Sequence, residues 1–272
     1  MPSTAKALGA LVGRSLGDPA AAMVLIGVTG TNGKTTTTYL IESILAAAGH
    51  KPGVIGTVEL RWAGTSTPAS YTTPTPQQLH ETLAAMREAG CTHVVMEVTS
   101  IAILQERVAG MRFQVAGFSN LTQDHLDIHG SMDSYRAEKR RLFSEHLEPD
   151  GVAVVNIDDP YGEGMAQGVR KTLRVSADGK ASEIRVVEQE STVRGIKARL
   201  ETPRGPIAIV AKPLIGHYNV ANLALAIGIG EALGLPHEAI AAGIANLRGV
   251  PGRVERVAND ADLDIFVDYA HT

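Results

Sequence analysis

The residues from Gly27 to Thr36 run Gly-Val-Thr-Gly-Thr-Asn-Gly-Lys-Thr-Thr, a set of types and spacings able to hold a phosphate. Glycines let a backbone wrap an anion with its N–H groups inward, and a helix N-terminus adds the positive end of its dipole. Lys34 supplies a point charge, and the Thr35 hydroxyl can hold Mg²⁺. The setting fits: residues 24–28 read as a short buried strand, and Leu40, Ile41, Ile44, Leu45 and Ala48 then recur at helical spacing until Gly49. Gly30, Thr31, Asn32, Gly33, Lys34, Thr35 and Thr36 are therefore expected to grip the phosphates of ATP or GTP. The strict phosphate-loop pattern asks for glycine at position 28, where the chain has valine, with Gly27 one place earlier. A Gly-rich turn with no ligand is the competing interpretation.

Two further clusters carry ligand-type side chains. Glu97 ends an apolar run and is followed by Val98-Thr99-Ser100, so its carboxylate is delivered to a strand end as a Mg²⁺ ligand, directly or through water. After the next apolar run, residues 120–130 place Asn120, Asp124, His125, Asp127 and His129 in one loop. Such density exceeds what turn chemistry needs, and at least one of the two histidines is expected at a metal or a phosphate.

These groups need a scaffold. Strand-like runs at 24–28, 53–58, 93–98, 115–118 and 152–156 alternate with helical patterns at 35–48, 77–89, 101–108 and 133–145. That alternation predicts an α/β fold, a mostly parallel sheet flanked by helices, with ligand groups collecting at the carboxyl ends of the strands. From 183 to 210 short β-type runs broken by Gly and Pro predict a small antiparallel β patch, and helices at 219–233 and 237–247 follow. Residues 5–16 carry one short helical pattern, and 263–267 read as a strand that delivers Asp268-Tyr-Ala-His-Thr272.

The 272 residues are 44% hydrophobic, ample for a buried core, and the net charge of −4 argues against a bulk electrostatic grip on nucleic acid. Cys91 is the single cysteine, which excludes an intrachain disulfide and thiolate zinc sites and fits a cytoplasmic, reducing compartment. No uninterrupted apolar run has membrane-spanning length, so no membrane insertion is expected.

Taken together, residues 27–36, Thr72-Thr-Pro-Thr-Pro76, Glu97-Val-Thr-Ser100, 120–130, Met132-Asp-Ser-Tyr135-Arg-Ala-Glu-Lys139, Gly216-His-Tyr-Asn219-Val-Ala-Asn222, Val250-Pro-Gly-Arg253 and Asp268 to Thr272 resemble the Mur ligases, nearest to the MurE type. The resemblance is collinear from about Leu16 to the last residue. It implies a central ATP-binding domain at 23–250, a remnant of a uridine-binding N-terminal domain at 1–22, and at 251–272 a hinge with the start of a C-terminal domain. The implied activity is ATP-dependent addition of an amino acid to UDP-N-acetylmuramoyl-L-alanyl-D-glutamate through an acyl phosphate, in peptidoglycan precursor synthesis. The implied cofactors are ATP and Mg²⁺, and the partners are the UDP-linked muramoyl dipeptide and a free amino acid.

Residue by residue, the resemblance assigns Lys34 and Thr35 to the ATP phosphates and a first Mg²⁺ shared with Glu97. It assigns His125 to a second Mg²⁺ and makes Lys139 a carbamylated lysine beside it. Sequence chemistry alone reads Lys139 as a solvated member of the basic run Lys139-Arg-Arg141. Asn219 and Asn222 take the adenine side, Arg253 a phosphate and Asp268 the ribose. Thr72, Thr73, Thr99, Gln105 and Arg107 hold the muramoyl substrate. The chain departs from the family in carrying Thr99 and Ile101 where Ser and His are usual. Three alternatives stand beside this: a folylpolyglutamate-type or other Mur-like ligase, a non-catalytic nucleotide-binding module, and a GTPase switch, the last lacking an Asn-Lys-x-Asp motif. With the amino-acid-reading domain missing, the chain by itself is expected to bind Mg·ATP without completing ligation.

Overall fold

The computed structural model describes residues 4–259 and 263–269. One 11-stranded sheet organises it, built from β1 (Val24–Thr29), β2 (Pro52–Ile55), β3 (Glu59–Trp62), β4 (Thr65–Pro68), β5 (His93–Glu97), β6 (Phe113–Phe118), β7 (Leu147–Asn156), β8 (Lys171–Ser176), β9 (Ile184–Thr192), β10 (Gly195–Glu201) and β11 (Ile207–Ala211). The order across the sheet is β11-β10-β9-β8-β7-β6-β1-β5-β2-β3-β4. All pairs from β9 to β2 are parallel. The β3–β4 hairpin closes one edge and β10–β11 the other, both antiparallel.

Helices cover both faces: α1 (Thr4–Ser15), α2 (Lys34–Ala47), α3 (Pro76–Glu88), α4 (Ser100–Leu104), α5 (Leu126–His129), α6 (Met132–Ser144), α7 (Gly162–Met165), α8 (His217–Ala232) and α9 (His237–Asn246). A two-stranded antiparallel sheet, β12 (Glu255–Arg256) with β13 (Phe266–Val267), follows. None of the described helices is long and apolar enough to cross a membrane.

The burial pattern explains why the sequence reads this way. β5 is buried at every position, as a strand covered on both faces must be, whereas β11 alternates buried and exposed, as a one-faced edge does. Two apolar cores result. One joins Ile41 and Ile44 of α2 to Leu223 and Ile227 of α8 and Ile240 of α9. The other joins Leu79 and Leu83 of α3 to Leu142 and Phe143 of α6. α8 is apolar nearly all round because it lies in the first core rather than on it.

The expected antiparallel patch at 183–210 is present, and it continues the main sheet through the parallel β8–β9 pair. Four parts of the fold differ from the sequence reading. The helix expected at 101–108 stops at Leu104, because Gln105 caps it and Glu106 turns left-handed at φ 57°. The β3–β4 hairpin and β8 carry too little apolar periodicity to be read in advance; every residue of β4 is exposed. The strand expected at 263–267 is limited to Phe266–Val267, and residues 270–272 of the final motif lie outside the described residues.

Because β5 and β6 flank β1 as parallel neighbours, the carboxyl ends of these three strands come together, where open parallel sheets collect their ligands.

Candidate functional site

Thr29 ends β1, and residues 30–33 form a tight loop before α2 begins at Lys34. Gly30 sits at φ 147° and Gly33 at φ 85°, conformations that L side chains rarely adopt. A β-carbon would overlap Ser119 Oγ at Gly30 and Asn222 Oδ1 at Gly33. The loop is therefore pressed between the exit of β6 and the first turns of α8. Its shape is fixed by hydrogen bonds to that exit: Thr31 N–H donates to Asn120 O at 2.8 Å and Asn32 N–H to Asn120 Oδ1 at 3.0 Å. The N–H groups of residues 33–36 open α2 and have no acceptor within the helix, which makes them donors for an anion.

Cations converge on the same loop. Lys34 Nζ donates to Gly30 O at 2.9 Å and Thr31 O at 2.7 Å, and Lys139 Nζ donates to the same Gly30 O at 2.9 Å. Lys139 is 2% exposed, and its nitrogen lies 4.5 Å from the centre of the Tyr135 ring. Burial and then the neighbouring Lys34 charge push its amine well below the ordinary lysine range, against a smaller pull from Asp124. Burial also lowers Lys34, with Glu97 and Asp124 opposing and Arg253 reinforcing. Three basic side chains thus crowd a loop already rich in N–H donors.

The structure overturns the solvated reading of Lys139. α6 buries Tyr135, Lys139, Leu142 and Phe143, one stripe at helical spacing, while Arg141 turns away to Glu106, Glu138 and Glu145. That stripe was the sequence signal: Lys139 occupies an apolar position of an amphipathic helix.

Glu97, 1% exposed, ends β5 next to the loop. Its Oε1 accepts the Thr57 N–H at 2.8 Å and its Oε2 the Thr57 hydroxyl at 2.9 Å. Gly56 leaves room for it, since a β-carbon there would crowd Oε1. Sequence reasoning missed Thr57, which lies in a bend with no motif of its own.

The five residues expected to hold a substrate form one connected network on that side. Thr72 Oγ1 lies 3.2 Å from Thr57 Oγ1. Thr73 donates to Glu97 O at 2.9 Å and lies 3.3 Å from Thr99 Oγ1, which caps α4. Arg107 donates to Thr73 O at 2.7 Å and to Gln105 Oε1 at 2.9 Å, with its guanidinium 4.7 Å from the Tyr71 ring centre.

His125 precedes α5 in a left-handed conformation, φ 51°, and its side chain is 42% exposed with Nε2 3.4 Å from Asp124 Oδ2. His129 is buried instead, with Nε2 3.0 Å from Ser100 Oγ and its ring 5.1 Å from that of Tyr135. Tyr135 in turn bonds Thr31 Oγ1 at 3.2 Å. Tyr135 was given no role from sequence, and His129 only a share in the expectation that one of the two histidines meets a metal or a phosphate, although both lie within the motifs there.

On the other side of the loop, Asn222 Nδ2 donates to Asn219 Oδ1 at 3.0 Å, and Asn219 Nδ2 to Ile215 O at 2.8 Å. Asp268 Oδ2 accepts the Val254 N–H at 2.9 Å, and its charge, after burial, raises the Tyr218 phenol. The 253–254 segment and Asp268 therefore gather near the start of α8. Among the described residues no group of three or more His, Cys, Asp or Glu side chains forms a ready-made metal cluster.

Comparison with known proteins places this geometry. The family profile described as Mur ligase middle domain matches residues 28–230. The UDP-N-acetylmuramoyl-L-alanyl-D-glutamate–2,6-diaminopimelate ligase of Gloeobacter violaceus is 48% identical over 255 residues, 93% of this chain and 51% of that protein. Its counterpart from Thermosynechococcus vestitus is 42% identical, covering 100% of this chain and 55% of that protein. The chain thus spans about half the length of the curated relatives it matches. A solved structure of a ligase of the same name superposes with a TM-score of 0.83 at 29% identity, over 94% of this chain and 53% of that one. Mycobacterium tuberculosis folylpolyglutamate synthase complexed with ADP shares the fold, with a TM-score of 0.80 at 21% identity over 99% of this chain and 67% of that one.

Proposed function

Because the chain belongs to the Mur ligase family, we propose that it is the ATP-binding core of an ATP-dependent amide ligase acting on UDP-N-acetylmuramoyl-L-alanyl-D-glutamate. The observation that carries this reading is the meeting at one loop of Lys34, Lys139, Glu97 and the Thr73–Thr99–Arg107 network. A nucleotide triphosphate and a carboxylate substrate repel one another, and cations and N–H donors placed between them offset that repulsion. The relatives' name makes 2,6-diaminopimelate the first amino acid to test. A cytoplasmic setting, where ATP is available, suits it.

In this reading the N–H groups of residues 33–36 and Lys34 bind the triphosphate, Arg253 adds positive charge, and Asn219 and Asn222 lie on the adenine side. The Thr35 hydroxyl and the Glu97 carboxylate are hard oxygen donors of the kind Mg²⁺ takes together with phosphate oxygens and water. Bound there, Mg²⁺ would supply charge neutralisation at the phosphates. Thr72, Thr73, Thr99, Gln105 and Arg107 orient the acid substrate. Its carboxylate oxygen attacks the γ-phosphorus and ADP leaves, giving an acyl phosphate. The amine then attacks the acyl carbon, phosphate leaves and the amine loses a proton. No protein nucleophile is required.

Lys139 as an amine offers none of the oxygen donors that Mg²⁺ takes. Its depressed basicity suits it to react with CO₂, and the resulting carbamate would bring two oxygens to the place where His125 could share a second ion. The folylpolyglutamate-type alternative rests on fold alone at the identities found. The test is ADP release by the intact enzyme. Release that requires both the UDP-linked dipeptide and the amino acid is expected; release at the same rate without the dipeptide would refute the assignment.

A further inference from the structure

Two adjacent carboxylates at the end of β7, Asp158 and Asp159, have no part in the site described above, yet one is tied to the phosphate loop. Asp159 Oδ2 accepts the Leu121 N–H at 2.7 Å, and its Oδ1 the Tyr161 N–H at 2.9 Å. Leu121 stands between the two residues that hold the loop. On one side, Asn120 accepts the N–H groups of Thr31 and Asn32 and donates from Nδ2 to Asn32 O at 3.1 Å. On the other, Thr122 N–H donates to Thr31 Oγ1 at 3.0 Å. Asn156, the last residue of β7, donates to Ser119 O at 2.8 Å, and Ser119 Oγ donates to Asn32 O at 2.6 Å. The loop after β1 therefore takes its shape from the exit of β6, and that exit takes its shape from the exit of β7.

This chain of bonds decides which donors face an anion. Asn120 consumes the N–H groups of Thr31 and Asn32, leaving those of residues 33–36 to point outward at the start of α2. A loop that drifted from Asn120 would present a different and looser set, and would have to be ordered when the phosphates bind.

We propose that Asp159 is a positioning residue for the nucleotide phosphates: through Leu121 it fixes the 119–122 turn, so that Asn120 holds Thr31 and Asn32 and residues 33–36 form the anion cradle. This rests on reading the loop as a nucleotide site. Asp158 is an internal contrast. Its carboxylate accepts from Ser176 Oγ at 2.7 Å and the Ala177 N–H at 2.6 Å, so it holds the exit of β8 and not the 119–122 turn.

The experiment compares Asp159→Ala, Asn120→Ala and Asp158→Ala with wild type by amide hydrogen exchange of Thr31 and Asn32 and by calorimetric titration of Mg·ATP, below each melting temperature. Asp159→Ala is expected to speed exchange at both amides, and Asn120→Ala at Asn32 above all, since the Thr31 N–H bonds the Asn120 backbone carbonyl that alanine keeps. Both are expected to weaken Mg·ATP roughly tenfold, the loss of about one hydrogen bond's contribution. Asp158→Ala is expected to lower the melting temperature and leave both readouts alone. Asp159→Leu, which keeps most of the volume and removes both acceptors, carries the same test should Asp159→Ala not fold. A lowered melting temperature in Asp159→Ala with wild-type exchange at Thr31 and Asn32 and wild-type Mg·ATP affinity would overturn the proposal. Failure of the wild type to bind Mg·ATP would instead count against the nucleotide reading, and the exchange measurement would still decide whether Asp159 braces the loop.

Discussion

Replacing Lys139 separates its chemistry from its packing. The side chain is 2% exposed and its amine donates a hydrogen bond to Gly30 O, an oxygen that Lys34 also reaches. Lys139→Met keeps most of the volume and loses that bond, a cost of about 1 kcal/mol, while also removing an amine that resists being charged. Stability near neutral pH should thus move by no more than about 1 kcal/mol. Lys139→Ala leaves a cavity and should cost about 2–4 kcal/mol. Ligation should fall in both by on the order of 10²–10³, the usual effect of removing one electrostatic stabiliser of a transition state. A small carboxylic acid should partly restore Lys139→Ala, by entering the cavity where the carbamate would lie. Lys139→Arg should not respond, because a guanidinium fills the site with the wrong charge.

The pH dependence has a definite sign. Lys139 is depressed in the folded state, so between its lowered value and 10.5 the unfolded chain binds the extra proton. Stability from this group therefore rises with pH across that window, and Lys139→Met should flatten the rise in urea titrations. Near-normal ligation by Lys139→Ala in bicarbonate-free buffer would refute the reasoning.

Glu97→Gln can keep one oxygen for the Thr57 N–H and let its amide meet the Thr57 hydroxyl, so urea stability should change by about 1 kcal/mol or less while the Mg²⁺ dependence of ATP binding is lost; retained dependence would remove Glu97 from the ion. Gly33→Ala and Gly49→Ala both strain a positive φ, 85° and 82°, at about 1–2 kcal/mol each, but only the first also displaces Asn222, so its excess destabilisation measures that contact. His93, lowered to about 4 chiefly by burial with His50 adding, stays neutral in the fold while the unfolded chain protonates, so stability should fall as pH drops from 6.5 towards about 4. His93→Gln should lessen that slope, and an unchanged slope in urea midpoints would contradict it.

Much of the site was legible because its parts are local. The phosphate loop announces itself through glycines with forced conformations, and Glu97 through an apolar strand that ends in a carboxylate. Collinear motifs pointed to Thr73, Thr99 and Arg107, which the fold joins by hydrogen bonds. What was not legible depends on the third dimension. Lys139 lies in a basic run that masks its place on the apolar stripe of α6, and the packing of that helix turns it inward while Arg141 points out. Thr57 and Asp159 act through backbone N–H groups and carboxylates 38 or more residues away, pairings that no local spacing encodes. The β3–β4 hairpin escaped because its outer strand buries nothing.

The central claim, that the loop after β1 is a Mg²⁺-dependent ATP site, is tested most directly by calorimetric titration of ATP into this chain with and without Mg²⁺, alongside Lys34→Ala and Asp133→Ala. Lys34 lies on the loop carbonyls, whereas Asp133 is 87% exposed at the start of α6 and pairs with Arg136. Mg²⁺-dependent binding that Lys34→Ala weakens at least tenfold and Asp133→Ala leaves alone is the predicted result, the size being that of a charge-assisted contact to phosphate. No ATP binding by the wild type, or equal loss in the two variants, would contradict it.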